Sequence, residues 1–146
     1  MRFFAYKVRA AAQAQTQKSE INYISKPEPK LNGQIYSDGI TTKIWWIDGG
    51  LARWIVDEAT YHGVFGGSPN KILYPSVVNI TEGANVADGT ELIRGDQDTA
   101  PIYLVNQGTK RFIPTEAIKS KYQLFGNVHT VAQSVVSNYP DGPIFT

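Results

Sequence analysis

The strongest constraint on how this chain can fold is that part of it is written twice. Ile44-Trp45-Trp46-Ile47-Asp48-Gly49-Gly50-Leu51-Ala52-Arg53-Trp54-Ile55 recurs 58 residues later as Ile102-Tyr103-Leu104-Val105-Asn106-Gln107-Gly108-Thr109-Lys110-Arg111-Phe112-Ile113. Isoleucine, glycine and arginine return at matching places, and aromatics exchange for aromatics at 45/103 and 54/112. Glu58-Ala59 then matches Glu116-Ala117, and Ser76-Val77-Val78 matches Ser134-Val135-Val136, at the same offset. One such match could be chance, but a fixed offset held from Ile44 to Val78 points to internal duplication.

Each copy reads as a small β-meander followed by a helix. A turn dipeptide opens each, Asn32-Gly33 in the first and Asp88-Gly89 in the second. The first strands are expected at Gln34–Tyr36 and Glu91–Arg94. A hairpin follows in each copy, and Gly49-Gly50 and Gln107-Gly108 suit its two-residue turn, where glycine supplies the positive φ. Thr115 and Asp57 sit at equivalent helix N-cap positions. The second helix is expected from Glu116 to Tyr122, with Glu58 to His62 its shorter counterpart. A last apolar stretch, Val128–Val131, returns to the core with Val135-Val136 near it. Neither copy, at under about 60 residues, buries much alone. The expected fold is therefore α+β and β-rich: two tandem copies of a hairpin-plus-helix unit sharing one core, preceded by an extended N-terminal arm. The expected boundaries are 1–30 for the arm and Pro-rich linker, 31–87 for copy one and 88–146 for copy two.

The arm differs from the rest. Phe3, Phe4, Tyr6 and Val8 lie in a candidate strand, and Ile21 and Tyr23 in a short apolar patch. Ala10 to Lys18 between them is helix-forming and polar, with little to bury. Lys26-Pro27-Glu28-Pro29-Lys30 is extended, because a residue before proline is pushed out of the α region. An arm of this composition frays in isolation. The expectation is that neighbours in a larger assembly hold it, by strand addition or in a groove.

The pattern I/V-Y-L-V-x-x-G-x-K-R-x-I-P-T, with a following helix and a terminal Y-P-x-G, resembles short tandem repeats of bacterial cell-surface and cell-wall-associated proteins. The likeness covers Ile102 to Gly142 well. It covers copy one less well, where Val56 replaces the proline and Gly66-Gly67-Ser68-Pro69 departs from the pattern. The resemblance implies a binding or spacer unit.

The bulk properties narrow the function classes. The 146 residues are 42% hydrophobic and 18% charged, with a net charge of +1. That composition is globular and carries no overall bias toward nucleic acid or acidic membranes. The absence of cysteine removes disulfides and thiolate chemistry. Apolar runs of about four residues fall far short of the roughly 20 needed to span a bilayer. The Met1–Lys7 stretch is not expected to act as a signal peptide. His62 and His129 fall at unrelated places in the repeat, and Asp96-Gln97-Asp98 lacks the oxygen count and spacing of a calcium loop. The Asp-Gly pairs at 38, 48, 88 and 141 read as turn chemistry. No catalytic, cofactor or metal residues are assigned.

The candidate contact residues are Trp45, Trp46, Arg53, Trp54, Tyr103 and Arg111. Across the hairpins Trp45 should face Trp54, and Tyr103 should face Phe112; such pairs contribute roughly 0.2–1 kcal/mol. The rings belong either to the core or to an exposed platform that stacks on sugars or a partner. The arginines either cover a sheet edge or anchor a carboxylate or ring. Two functions follow. One is a non-enzymatic assembly protein of a virion, phage tail or filament, a homo-oligomer or larger particle. The other is a carbohydrate-binding adhesion module that uses the copy-one tryptophans on surface glycans. Either would work in an extracellular particle or at a cell surface, or assemble in the cytoplasm. A specialised surface is expected on copy one, which carries all three tryptophans.

Overall fold

A computed structural model describes residues 24–67 and 70–146. The arm residues Phe3, Phe4, Tyr6, Val8, Ile21 and Tyr23 lie outside the described residues, as do Ser68 and Pro69. Strands β2 (Ile44–Asp48) and β3 (Leu51–Ile55) form the first hairpin. Strands β6 (Ile102–Asn106) and β7 (Thr109–Ile113) form the second. The turns between them need positive φ at both central residues: 62° and 76° at Gly49 and Gly50, 53° and 80° at Gln107 and Gly108. This turn twists with the strands, so it fixes the register. Trp45 faces Trp54 and Trp46 faces Arg53; Tyr103 faces Phe112 and Leu104 faces Arg111.

A leading strand extends each hairpin, β1 (Ile35–Ser37) beside β2 and β5 (Glu91–Gly95) beside β6, both antiparallel. A fourth strand adds in parallel on its other side: β4 (Lys71–Leu73) on β1 and β8 (Val128–Val131) on β5. The result is two four-stranded sheets with the same spatial order, β3-β2-β1-β4 and β7-β6-β5-β8. The free side of each last hairpin strand carries a parallel strip: Glu82 and Val86 bridge Ala52 and Ile55, and Asp141 bridges Lys110.

Each hairpin leads into a helix, α1 (Glu58–Phe65) or α2 (Glu116–Lys121). Asp57 caps α1 by accepting the Thr60 amide at 2.8 Å, and Thr115 caps α2 by accepting the Ile118 amide at 3.1 Å. The expected order of helix lengths is reversed. Helix α1 has 8 residues and α2 has 6. The physical reason is burial: Val64 and Phe65 at the end of α1 are both fully buried, so packing carries the helix past His62. After β4 a 3-10 helix runs over Pro75–Asn79, and after β8 comes α3 (Gln133–Asn138).

The Pro-rich segment is not a free linker. Lys26 pairs with Asn79 and Thr81 through backbone hydrogen bonds, the Glu28 amide donates to Gly50, and Pro29–Leu31 forms a 3-10 turn. Leu31 packs against the first sheet's outer face. The extended backbone that the prolines impose is used to run along the hairpin end.

The main core takes side chains from both sheets: Ile35, Trp46, Ile55, Val64, Phe65 and Val86 from one half, Leu92, Leu104, Ile113, Tyr122, Leu124 and Phe145 from the other. The outer faces are covered separately. Val77 and Ile80 lie over Tyr36, Trp45 and Ile47 on the first sheet, and Val136 lies over Ile93 and Val105 on the second. The halves also exchange contacts. Helix α1 packs on β5, while the Trp46 indole donates to the Tyr122 carbonyl at 3.1 Å and Gln123 donates to the Gly33 carbonyl at 2.7 Å.

Candidate functional site

Arg53 and Arg111 are both held internally, at the seam between the two halves. Arg53 lies beside Trp46 on the core-facing side of β3, and Arg111 beside Leu104 on that of β7. Each ε-nitrogen donates to a carbonyl of the strip alongside, Ala84 at 2.7 Å and Pro143 at 2.8 Å. Both guanidinium groups then converge on one carboxylate, Asp48. Arg53 donates to its Oδ2 at 2.6 Å, and Arg111 donates to both oxygens, the Nη2 bond being 3.1 Å. Asp48 is only 5% exposed. The Arg111 guanidinium also stacks 3.8 Å above the Phe145 ring. Their donors are engaged by the protein itself, so these arginines join the two halves. In the sequence alone Asp48, before Gly49, reads as turn chemistry. The signal that marks it is the residue at the like place in the second hairpin, Asn106, which bonds Thr90 and the Ala87 amide instead.

The aromatic candidates do not form an open platform. Trp46 is wholly buried, with Phe65 at 5.3 Å and Tyr122 at 6.0 Å between ring centroids. Trp45 is 6% exposed, on the outer face under Val77 and Ile80. Trp54 is half-buried, and the Lys43 ammonium sits 4.7 Å from its ring centre. Tyr103 packs on Phe112 at 5.8 Å, with Lys110 over it. A sugar could therefore reach neither Trp45 nor Trp46 in this conformation. The reason lies in strand alternation: Trp45 and Trp46 are consecutive, so they point to opposite faces, and both faces are covered.

Titratable groups near these elements are shifted for structural reasons. Burial alone would raise the Asp38 carboxyl, but hydrogen bonds from the Thr41 hydroxyl and the Ile40 and Thr41 amides more than offset it and hold it below the usual range. Burial raises the Tyr122 phenol, and the charge of Asp48 adds to that.

An open apolar surface lies on β4. All three of its residues are exposed, with Ile72 at 40% and Leu73 at 64%. Ile40 is exposed nearby, and the Leu73 side chain lies against Gly39. Among the described residues β4 pairs only with β1, so its other backbone edge is open. The matching strand of the second sheet differs. There the exposed residues are His129 and Thr130, while Val128 and Val131 pack into cores. Neither strand stood out in the sequence as an edge, because edge status depends on which strands pair.

The second half bears an open depression of about 340 Å³ lined by Pro101, Ile102, Phe112, Thr115, Glu116 and Lys119, among others. Among the described residues no three His, Asp or Glu side chains cluster to hold a metal ion, and no helix is long and apolar enough to cross a membrane. Comparison of the chain with protein-family models, with curated proteins and with solved structures gave no match.

Proposed function

We propose that this is a structural assembly protein, built from two copies of one unit, whose N-terminal segment binds neighbouring subunits of a homo-oligomer or larger particle. Two like sheets on one core make a firm body, and the shared strand order and hairpin register support the reading of two copies. The observation that carries the assembly reading is the anchored base of the arm. Lys26 and Glu28 are hydrogen-bonded to the first sheet, yet Ile24, two residues earlier, is 86% exposed. The chain is thus fixed at Lys26–Glu28 and open to solvent at Ile24, a place from which a connector could be held. Its Phe4, Tyr6 and Val8 alternate in the manner of a strand that offers one apolar face. A virion, phage tail or filament is the kind of particle such a subunit suits.

Light scattering on the full chain tests this. The wild type should scatter as an oligomer, and replacing Phe4, Tyr6 and Val8 by serine should reduce it to the 16.2 kDa monomer. A wild type that is monomeric across the micromolar range sinks the reading.

A carbohydrate-binding reading has little open surface on the first hairpin, where Trp45 and Trp46 are buried and Trp54 is half-buried. The feature that favours it is the depression lined by Phe112 together with Thr115, Glu116 and Lys119. Glycan-array binding that is lost in Phe112→Ala and retained in Trp54→Ala would select it.

A further inference from the structure

We infer that the open edge of β4 is the acceptor for the N-terminal segment, residues Phe3–Val8, of a second copy of this chain, which adds to the first sheet as a fifth strand. The inference rests on the assembly reading above and names the surface that the arm would meet.

Three features lead to it. The first is the edge itself. A sheet edge presents unpaired N–H and C=O groups, which natural proteins blunt with charge, bulges or a covering element. The fourth strand of the second sheet follows that practice, with His129 and Thr130 outward. Strand β4 does not: its outward residues after Lys71 are Ile72 and Leu73, with Ile40 alongside. The Tyr74 amide donates inward to Ser37, so Leu73, one residue back, turns its N–H to the open side. The second feature is the donor. The stretch Phe3-Phe4-Ala5-Tyr6-Lys7-Val8 is β-prone, with Phe4, Tyr6 and Val8 at alternate positions, which suits a strand that lays its apolar row beside Ile72 or beside Leu73, the two pointing to opposite faces of the sheet.

The third feature is where the arm starts. Lys26 is paired beside Ile80, in the strip that flanks β3. In the order β3-β2-β1-β4 that is the opposite flank from β4. Its own β4 thus lies across the full width of the first sheet from Lys26, a crossing of four strands. A neighbour placed against the launching flank offers its β4 without that crossing. Donor and acceptor are then different patches of the same chain, a head-to-tail contact that closes into a ring or extends into a filament.

Because the chain has no cysteine, a cross-link reads this out directly. Full-length Tyr6→Cys/Leu73→Cys, oxidised at low concentration, should give a ladder of covalent oligomers on a non-reducing gel. Leu73→Pro, which removes the outward N–H, should lower the scattering mass to the monomer with an unchanged far-UV spectrum. Leu73→Lys should do the same if the proline variant folds poorly. A double-cysteine chain that closes on itself as a monomer overturns the inference, since the arm then serves its own sheet. If no cross-link forms while the serine-substituted arm still abolishes the oligomer, the arm docks elsewhere; the inference falls and the assembly reading stands. A wild type that is already monomeric removes both.

Discussion

Asp48 neutralises charge for residues from both halves of the chain. Its carboxylate is nearly inaccessible and accepts hydrogen bonds from Arg53 and Arg111. Removing one partner of a buried ion pair costs about 3–5 kcal/mol, because the remaining charge is left without compensation. Asp48→Ala should therefore lose about 3 kcal/mol or more in urea denaturation, while Asp48→Asn, which keeps an acceptor, should lose less. Asp38 makes a different prediction. Its folded carboxyl titrates below the ordinary range, so the stability it contributes is present above the unfolded value near 3.9 and is lost as pH falls through the folded one. Asp38→Asn should flatten the fall in melting temperature below about pH 4, and an unchanged acid slope would show that the turn contributes nothing there. Asp38 was legible in the sequence, because a turn aspartate bonds residues two and three ahead. Asp48 was not, because its partners come from β3 and β7, 5 and 63 residues away in sequence.

Among the elements, hairpins and helix starts were readable because their causes are local. Positive φ at Gly49, Gly50 and Gly108 sets the turns, and Asp57 and Thr115 cap the helices. Helix ends, the parallel fourth strands and the docking of the Pro-rich segment were not, since each is decided by what lies across the core. Gly33 shows how tight that crossing is. Its φ is +92°, and a Cβ there would stand 2.0 Å from the Lys121 carbonyl oxygen. The neighbour is backbone and cannot swing aside. Gly33→Ala should destabilise by at least about 2 kcal/mol through strain and clash together, measured by thermal melting. Gly126, whose Cβ would meet the Gly63 carbonyl at 1.9 Å, should behave alike, whereas Gly67, which has open space around it among the described residues, should tolerate alanine.

At the scale of the molecule, one core joins residues from both sheets. Each half takes part of its packing from the other: Phe65 and Trp46 meet Tyr122 and Phe145. Unfolding in urea should therefore be a single transition with coincident fluorescence and far-UV curves, and a fragment of residues 88–146 should show no cooperative melt. Two separate transitions would mean that the halves are independent. The composition of the shared core was legible as alternation on the hairpins, but which face turned toward the sister sheet was not.

The seam at Asp48 has a consequence for how such a protein can come to exist. Arg53 and Arg111 occupy like places, but the residues at 48 and 106 differ, one charged and one neutral. A dimer of identical half-chains must place either two carboxylates or none at that junction. Two would bring like charges together, and none would leave both arginines without a counter-ion. Two unlike halves, here joined in one chain, can hold a single acid between two bases. The peptide link between the halves thus holds an odd number of charges on a nearly even frame.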